Sequence, residues 1–316
     1  MVVQVKGVTQ GRSLHIPVMV EEVVGALAVL PGGRYVDCTV GTGGHAEAIL
    51  EAASPGGLLL GLDVDAQALA VAEQRLAPFK PDVRLVEANF RDLAAVCRAY
   101  NFVPVHGVLF DLGLSSFQLA HEERGFSFQV EGPLDMRFDL SQELTANDVV
   151  NHFSERELAH IIWHYGEEPQ ARQIARAIVR SRPIRTTMEL AEVVARAVGT
   201  AGGRIHPATR TFQAIRIAVN RELENLEIGL LQALQVLGKG GRLVVISYHS
   251  LEDRLVKQFI AREAKDCICP PESPLCRCGH KATLRPVLPG PLRPTLEEIK
   301  RNPRARSARL RVAEKV

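Results

Sequence analysis

Short apolar runs and helix-period stretches alternate through the first third of this chain. Tyr35–Val40 is an apolar run that ends in glycines, and Leu58–Asp63 and Val105–Asp111 are runs that end in an acid. Val83–Glu87 is a fourth. Between them His45–Ala53, Asp65–Leu76 and Leu93–Tyr100 carry helical periodicity, and Asp65 is placed to cap the second. Strands that alternate with helices predict a parallel sheet with helices on both faces, an α/β fold.

The alternation stops between about Leu140 and Pro207, where the pattern predicts helices alone. Ser154 to Glu157 and Thr186 to Glu189 are capping-box patterns, the first opening a helix that reaches Tyr165. Pro169–Arg182 reads as a helix opened by proline, and Gly199 suits the end of the helix after Thr186. The α/β pattern then resumes with one long amphipathic helix over Thr209–Leu237 and a strand at Arg242–Ser247. A helix over Leu251–Lys265 follows, then strands near Leu284–Leu288 and Ala308–Ala313. The division expected is 1–139 with 208–316 as one discontinuous domain and 140–207 as an inserted small all-helical one.

Composition narrows the function classes. The chain has 316 residues, 46% of them hydrophobic and 23% charged, enough apolar material for a full core. A net charge of only +2 means that any nucleic-acid contact must come from local clusters. There is no apolar run long enough for a membrane span and no signal-peptide h-region near the start, so the expectation is a cytoplasmic protein without a membrane partner.

The chemistry concentrates in Tyr35 to Ala46, where a strand runs through Gly41, Gly43 and Gly44 into a helix. Glycines there permit a tight turn and close approach of a ligand to unpaired helix N–H groups. Asp63 ends the next strand, placed to accept hydrogen bonds from ribose hydroxyls. Together these features point to an adenosine-containing cofactor. The loop also satisfies the dinucleotide fingerprint, so an NAD-linked oxidoreductase is a rival. Asp37 tilts the choice to S-adenosylmethionine, because an acid beside the loop suits a methionine amino group better than a pyrophosphate. The two terminal strands point the same way. Asp111 closes the fourth strand, where open α/β sheets bind ligands, and faces cofactor and substrate.

Longer strings then carry a resemblance. His15 to Met19, Asp37 to His45, Asp111 to Ser116, Glu123 to Phe128, Gly132 to Arg137, Pro207 to Ala214, Ser247 to Arg254 and Asn302 to Ser307 resemble the bacterial small-subunit ribosomal RNA cytosine-N4 methyltransferase family nearly end to end. The resemblance implies a Rossmann-like class I methyltransferase sheet, with the helical insertion recognising substrate. It implies cofactor contacts at Gly43, Gly44, His45, Asp63, Phe90, Asp111 and Gln118. It also implies a cytidine in the decoding region as acceptor, within an assembled or assembling small subunit. An oligomer is left open. A non-enzymatic RNA-binding assembly protein on the same fold is a third alternative.

Cytosine N4 is a poor nucleophile because its lone pair is delocalised into the ring. A carboxylate that accepts a hydrogen bond from the amine favours the charge developing there, and Asp111 is the candidate. Ser115 and Ser116 are weaker candidates for base contacts, with Phe117 or Phe126 for stacking and His249 near the same sheet end. Many amino-methyltransferases carry a proline-rich turn where this chain reads Asp-Leu-Gly-Leu-Ser-Ser, so the base is held differently here. Two arginine clusters are candidates for phosphate contacts: Arg172, Arg176 and Arg180 at helical spacing, and Arg301, Arg304, Arg306, Arg309 and Arg311 near the end. Cys267, Cys269, Cys276 and Cys278 with His280 raise a zinc site, but C-x-C is tighter than the usual C-x-x-C chelate, and no metal ligand is assigned.

Overall fold

The computed structural model describes residues 17–114, 118–119, 121–199, 206–270, 273 and 275–316. Its centre is a seven-stranded sheet in the order β3-β2-β1-β4-β5-β7-β6. The strands are β1 Arg34–Asp37, β2 Leu58–Asp63, β3 Val83–Glu87, β4 Val105–Asp111, β5 Leu237–Ser247, β6 Leu284–Pro286 and β7 Arg309–Lys315. The first five pair in parallel, and β7 runs antiparallel to both neighbours. The fold is therefore the expected Rossmann-like α/β class. Strand order reverses on either side of β1 and β4, which opens a crevice beyond their carboxyl ends.

The inner strands are buried on both faces, as apolar runs of this kind require. Leu60, Leu62, Val108, Phe110 and Val245 face one apolar cluster. Their neighbours Leu59, Leu109, Val244 and Ile246 face the other, with α1 (Val20–Leu27) and α2 (Gly44–Ala53). The helix α3 (Ala66–Arg75) starts as expected, with Asp65 Oδ1 accepting from the Gln67 and Ala68 amides. α4 (Leu93–Ala99) leads into β4.

A third cluster is mainly helical. It joins α5 (Ala146–His152), α6 (Glu155–Gly166), α7 (Ala171–Arg180), α8 (Thr187–Val198) and α9 (Ala208–Asn220). Capping boxes open α6 at Ser154 and α8 at Thr186. Phe126, Leu134 and Met136 belong to this core, as do Phe212, Ile215 and Val219, so its packing extends beyond residues 140–207 on both sides.

The single helix expected over Thr209–Leu237 is two helices. Arg221 adopts φ 48°, ψ 41° and separates α9 from α10 (Glu222–Val236). The side chain of Asn220 explains the break: Oδ1 accepts from the Phe138 amide at 2.7 Å and Nδ2 donates to the Met136 carbonyl at 2.7 Å. Arg216 then spans the corner with two bonds to Glu222, at 2.7 and 2.9 Å. The turn sends α9 into the helical core and α10 onto the sheet, and each half keeps its own apolar face. That is why the periodicity looked continuous.

Candidate methyl-transfer site

The crevice is a cleft of about 1010 Å³ between the carboxyl ends of β1, β2 and β4, the helical module and the chain around Asn302–Ser307. Its cofactor side is built by the glycine loop. Gly43 sits at φ 84°, where a side chain is strained, and a Cβ there would lie 3.2 Å from Leu76 on the α3 side. Gly44 allows Pro17 to close over the helix start, since a Cβ would come within 2.7 Å of its ring. Gly44 and His45 line the cleft, whereas Gly43 shapes the turn from behind. Asp63 Oδ2 accepts from the Gly41 amide at 2.8 Å and Oδ1 from the Asp65 amide at 3.0 Å. Each oxygen keeps a lone pair for a further donor. Burial pushes Asp63 up to about 6, against the pull of those amides.

Phe90 lines the cleft beside Asn89 and meets Phe110 edge-on, with ring centroids 5.4 Å apart. Gln118 is buried in the same wall, and its Nε2 donates to Asp65 Oδ2 at 3.2 Å. Asp37 is not in the wall. It is buried behind the loop, where Oδ1 takes the Thr39 amide at 3.1 Å and Oδ2 meets no partner among the described residues. Burial pushes its carboxyl up to about 7. Asp37 therefore makes no wall of the cleft itself and stands directly behind Cys38 and Thr39, which do.

Asp111 stands where expected, half-buried at the end of β4. Its amide donates to Thr39 Oγ1 at 2.7 Å, tying β4 to the glycine loop. Its Oδ1 accepts the Tyr248 hydroxyl at 2.8 Å, and its Oδ2 lies 3.5 Å from His45 Nδ1. Burial raises the Asp111 carboxyl, while His45 and the Tyr248 hydroxyl pull it down. Tyr248 itself is raised well above the ordinary phenol value by burial and by Asp111, so it stays a donor. His249 caps α11 (Ser250–Glu263), accepting from the Glu252 amide at 3.4 Å, and its ring also lines the cleft. Phe126 lines the wall from the helical side, but Ser115, Ser116 and Phe117 lie outside the described residues.

The match to known proteins is consistent along the whole length. Residues 12–316 match the model of the MraW methylase family. The chain belongs to that family. The methylase is 60% identical over 302 residues to a protein of Dehalococcoides mccartyi named ribosomal RNA small subunit methyltransferase H, covering 96% of this chain and 86% of the relative. A relative of the same name from Thermomicrobium roseum is 55% identical over 305 residues, covering 96% and 94%. Among solved structures, an rRNA methylase from Streptococcus thermophilus is similar at 14% identity and TM-score 0.41, covering 93% of this chain and 95% of that one. S-adenosylmethionine is the methyl donor of this family, and the oxidoreductase alternative falls with the assignment.

Two functional-looking residues escaped the sequence reading. Tyr248 was passed over for its neighbour His249, although Ile246 of β5 pairs with Asp111, which places the residues after β5 beside that carboxylate. Arg124 is the other. Its Nη1 reaches Asp65 Oδ2 at 3.1 Å and its Nη2 the carbonyls of Arg137 and Phe138, at 3.0 and 2.9 Å. Asp65 thus caps a helix with one oxygen and anchors the substrate-side wall with the other. The arginine clusters divide as well. Arg304 and Arg306 line the cleft, whereas Arg309 and Arg311 are both held by Asp253 at 2.7 Å. Arg172, Arg176 and Arg180 share a shallow surface depression with Arg196.

Proposed function

We propose that this methylase transfers a methyl group to N4 of a cytidine in the decoding region of small-subunit ribosomal RNA, in an assembled or assembling subunit. The observation that carries the reading is Asp111, held at three points in a cleft large enough for a nucleoside cofactor and a base together. The relatives' names supply the RNA class.

The cofactor side fits its group: Asp63 offers lone pairs for ribose, Phe90 an apolar wall for adenine, and the helix start at Gly44 its free amides. S-adenosylmethionine supplies a methyl already electrophilic on sulfonium sulfur. The acceptor is the harder problem, and this chain's residues address it. Asp111 accepts a hydrogen bond from the exocyclic amine and draws its lone pair out of the ring. The proton that N4 loses has a destination. His45 Nε2 lies 2.8 Å from the Val18 carbonyl, which only accepts, so Nε2 carries hydrogen. Nδ1 faces Asp111 Oδ2 at 3.5 Å, and Asp111 is the group suited to take that proton. Tyr248 keeps the carboxylate turned toward the cleft. Arg304 and Arg306 at the rim are suited to RNA phosphates.

Transfer of labelled methyl from S-adenosylmethionine to small subunits lacking the modification, followed by nucleoside analysis, tests the proposal. N4-methylcytidine is the expected product. Label on another nucleoside would leave the methylase assignment standing and overturn the substrate.

A further inference from the structure

The segment between α11 and β6 takes no part in the cleft wall. Its four cysteines come together: the Sγ atoms of Cys267, Cys269, Cys276 and Cys278 all lie within 4.8 Å of one another. Cys267 to Cys276 is 3.4 Å, Cys276 to Cys278 is 3.6 Å and Cys267 to Cys278 is 3.8 Å. Four thiolates bonded to one zinc ion at about 2.3 Å stand roughly 3.8 Å apart, whereas a disulfide needs about 2.05 Å. All four are free thiols, three of them at about the first spacing and Cys269 within 4.8 Å of the rest.

Backbone geometry supports the same assignment independently. The Ile268 amide donates to Cys278 Sγ at 3.4 Å, and the Arg277 amide donates to Cys269 Sγ at 3.4 Å. Each C-x-C segment therefore aims the amide of its middle residue at a sulfur of the other. Amides turned onto sulfur stabilise thiolate charge and orient metal ligands. The tight C-x-C spacing, which argued against a chelate in the sequence, is what brings these amides into place.

Packing leaves the same role open. The base of the excursion is closed by Thr283, whose amide donates to the Glu263 carbonyl at 2.8 Å and whose hydroxyl donates to Glu263 Oε2 at 2.7 Å. Beyond that base, Leu275 is 71% exposed, and three of the four cysteines are exposed. Apolar burial does not order this tip, and neutral thiols are weak hydrogen-bonding groups. A metal ion bound here would supply ordering energy, because binding to a site that forms only on folding is folding energy.

We propose that Cys267, Cys269, Cys276 and Cys278 bind one zinc ion as a closed tetrathiolate site. Four protein ligands leave no open position, so the ion is structural, not catalytic. Its place in the fold agrees. Leu284 pairs with Lys315 at one end of the sheet, while Ser247 pairs with Arg309 at the other, beside the cleft. The zinc site thus sits at the end of the sheet away from Asp111, and its loss leaves the cofactor wall intact.

Metal analysis of the reduced full-length chain, purified with zinc present and dialysed against a weak chelator, tests this directly. One zinc per chain is expected. Cobalt in its place should give the intense sulfur-to-metal charge transfer and tetrahedral d–d bands of a tetrathiolate. The double variant Cys276→Ser, Cys278→Ser should lose at least about nine-tenths of the zinc and still bind S-adenosylmethionine. Zinc-free wild type, iron in the site, or unchanged zinc in the double variant would each overturn the proposal. Should the double variant aggregate, the cobalt spectrum of the wild-type chain decides alone.

Discussion

Asp37 and Asp111 are two carboxylates at neighbouring strand ends with opposite fates. Both are raised by burial and pulled down by His45, but Asp111 also receives the Tyr248 hydroxyl, and Asp37 has an oxygen without a described partner. An acid raised from 3.8 to about 7 holds its proton in the folded state through a window where the unfolded chain has lost it. The folded state then binds more protons between about pH 4 and 7, so this group's contribution to stability falls as pH rises through that window. Asp37→Asn keeps the bond from the Thr39 amide and removes the titration. Its stability curve should be flatter between pH 5 and 8, with a gain at pH 8 of at most about 4 kcal/mol. Denaturant melts at both pH values check this, and identical pH dependence of variant and wild type would refute it. Sequence alone placed Asp63 and Asp111 at strand ends and turned Asp111 toward the ligand, and both line the cleft. It carried the first strand on to Val40, so it did not show that β1 stops at Asp37 and that this carboxylate lies behind the loop, because that depends on which side of the sheet the loop closes over.

Among elements, those marked by local signals were legible and those set by distant contacts were not. Asp65, Ser154 and Thr186 announced their helices through side chains that cap within three residues. The break at Arg221 was invisible, because Asn220 makes it through Met136 and Phe138, more than eighty positions earlier. The tie between the glycine-loop side and the helical module is equally long-range. Arg124 and Asp65 form an ion pair with both side chains 3% exposed. Removing one partner of such a pair strands the other charge, at a cost of about 3–5 kcal/mol. Arg124→Ala should lower the melting midpoint by that equivalent and weaken S-adenosylmethionine binding, since Gln118 shares Asp65 Oδ2. Unchanged melting would show that the pair holds nothing together.

At the scale of the whole molecule, near-neutral net charge hides an uneven surface. The five tail arginines looked equivalent in sequence. Arg309 and Arg311 pair with Asp253, Arg304 and Arg306 lie on the cleft rim, and Arg301 ends the preceding helix outside the cleft wall. Replacing both rim arginines with alanine should raise KM for the RNA substrate about tenfold or more and leave kcat nearly unchanged. It should also reduce the salt dependence of binding by roughly one to two charges. Filter binding across a salt series with steady-state kinetics checks both, and a fall in kcat at constant KM would place these residues in the chemistry instead. Among the described residues no helix is long and apolar enough to cross a membrane.

The proposed role of Asp111 is to act on the amine of a cytidine. Its most direct test is the rate of N4-methylcytidine formation in unmodified small subunits, at saturating S-adenosylmethionine, for the wild type and Asp111→Asn. Asparagine preserves size and the bond from Tyr248 but takes no proton. With the cofactor site saturated, the variant should form N4-methylcytidine about 10²–10⁴-fold more slowly than the wild type. Equal rates for the two proteins, or a wild-type product methylated anywhere but N4, would contradict the account.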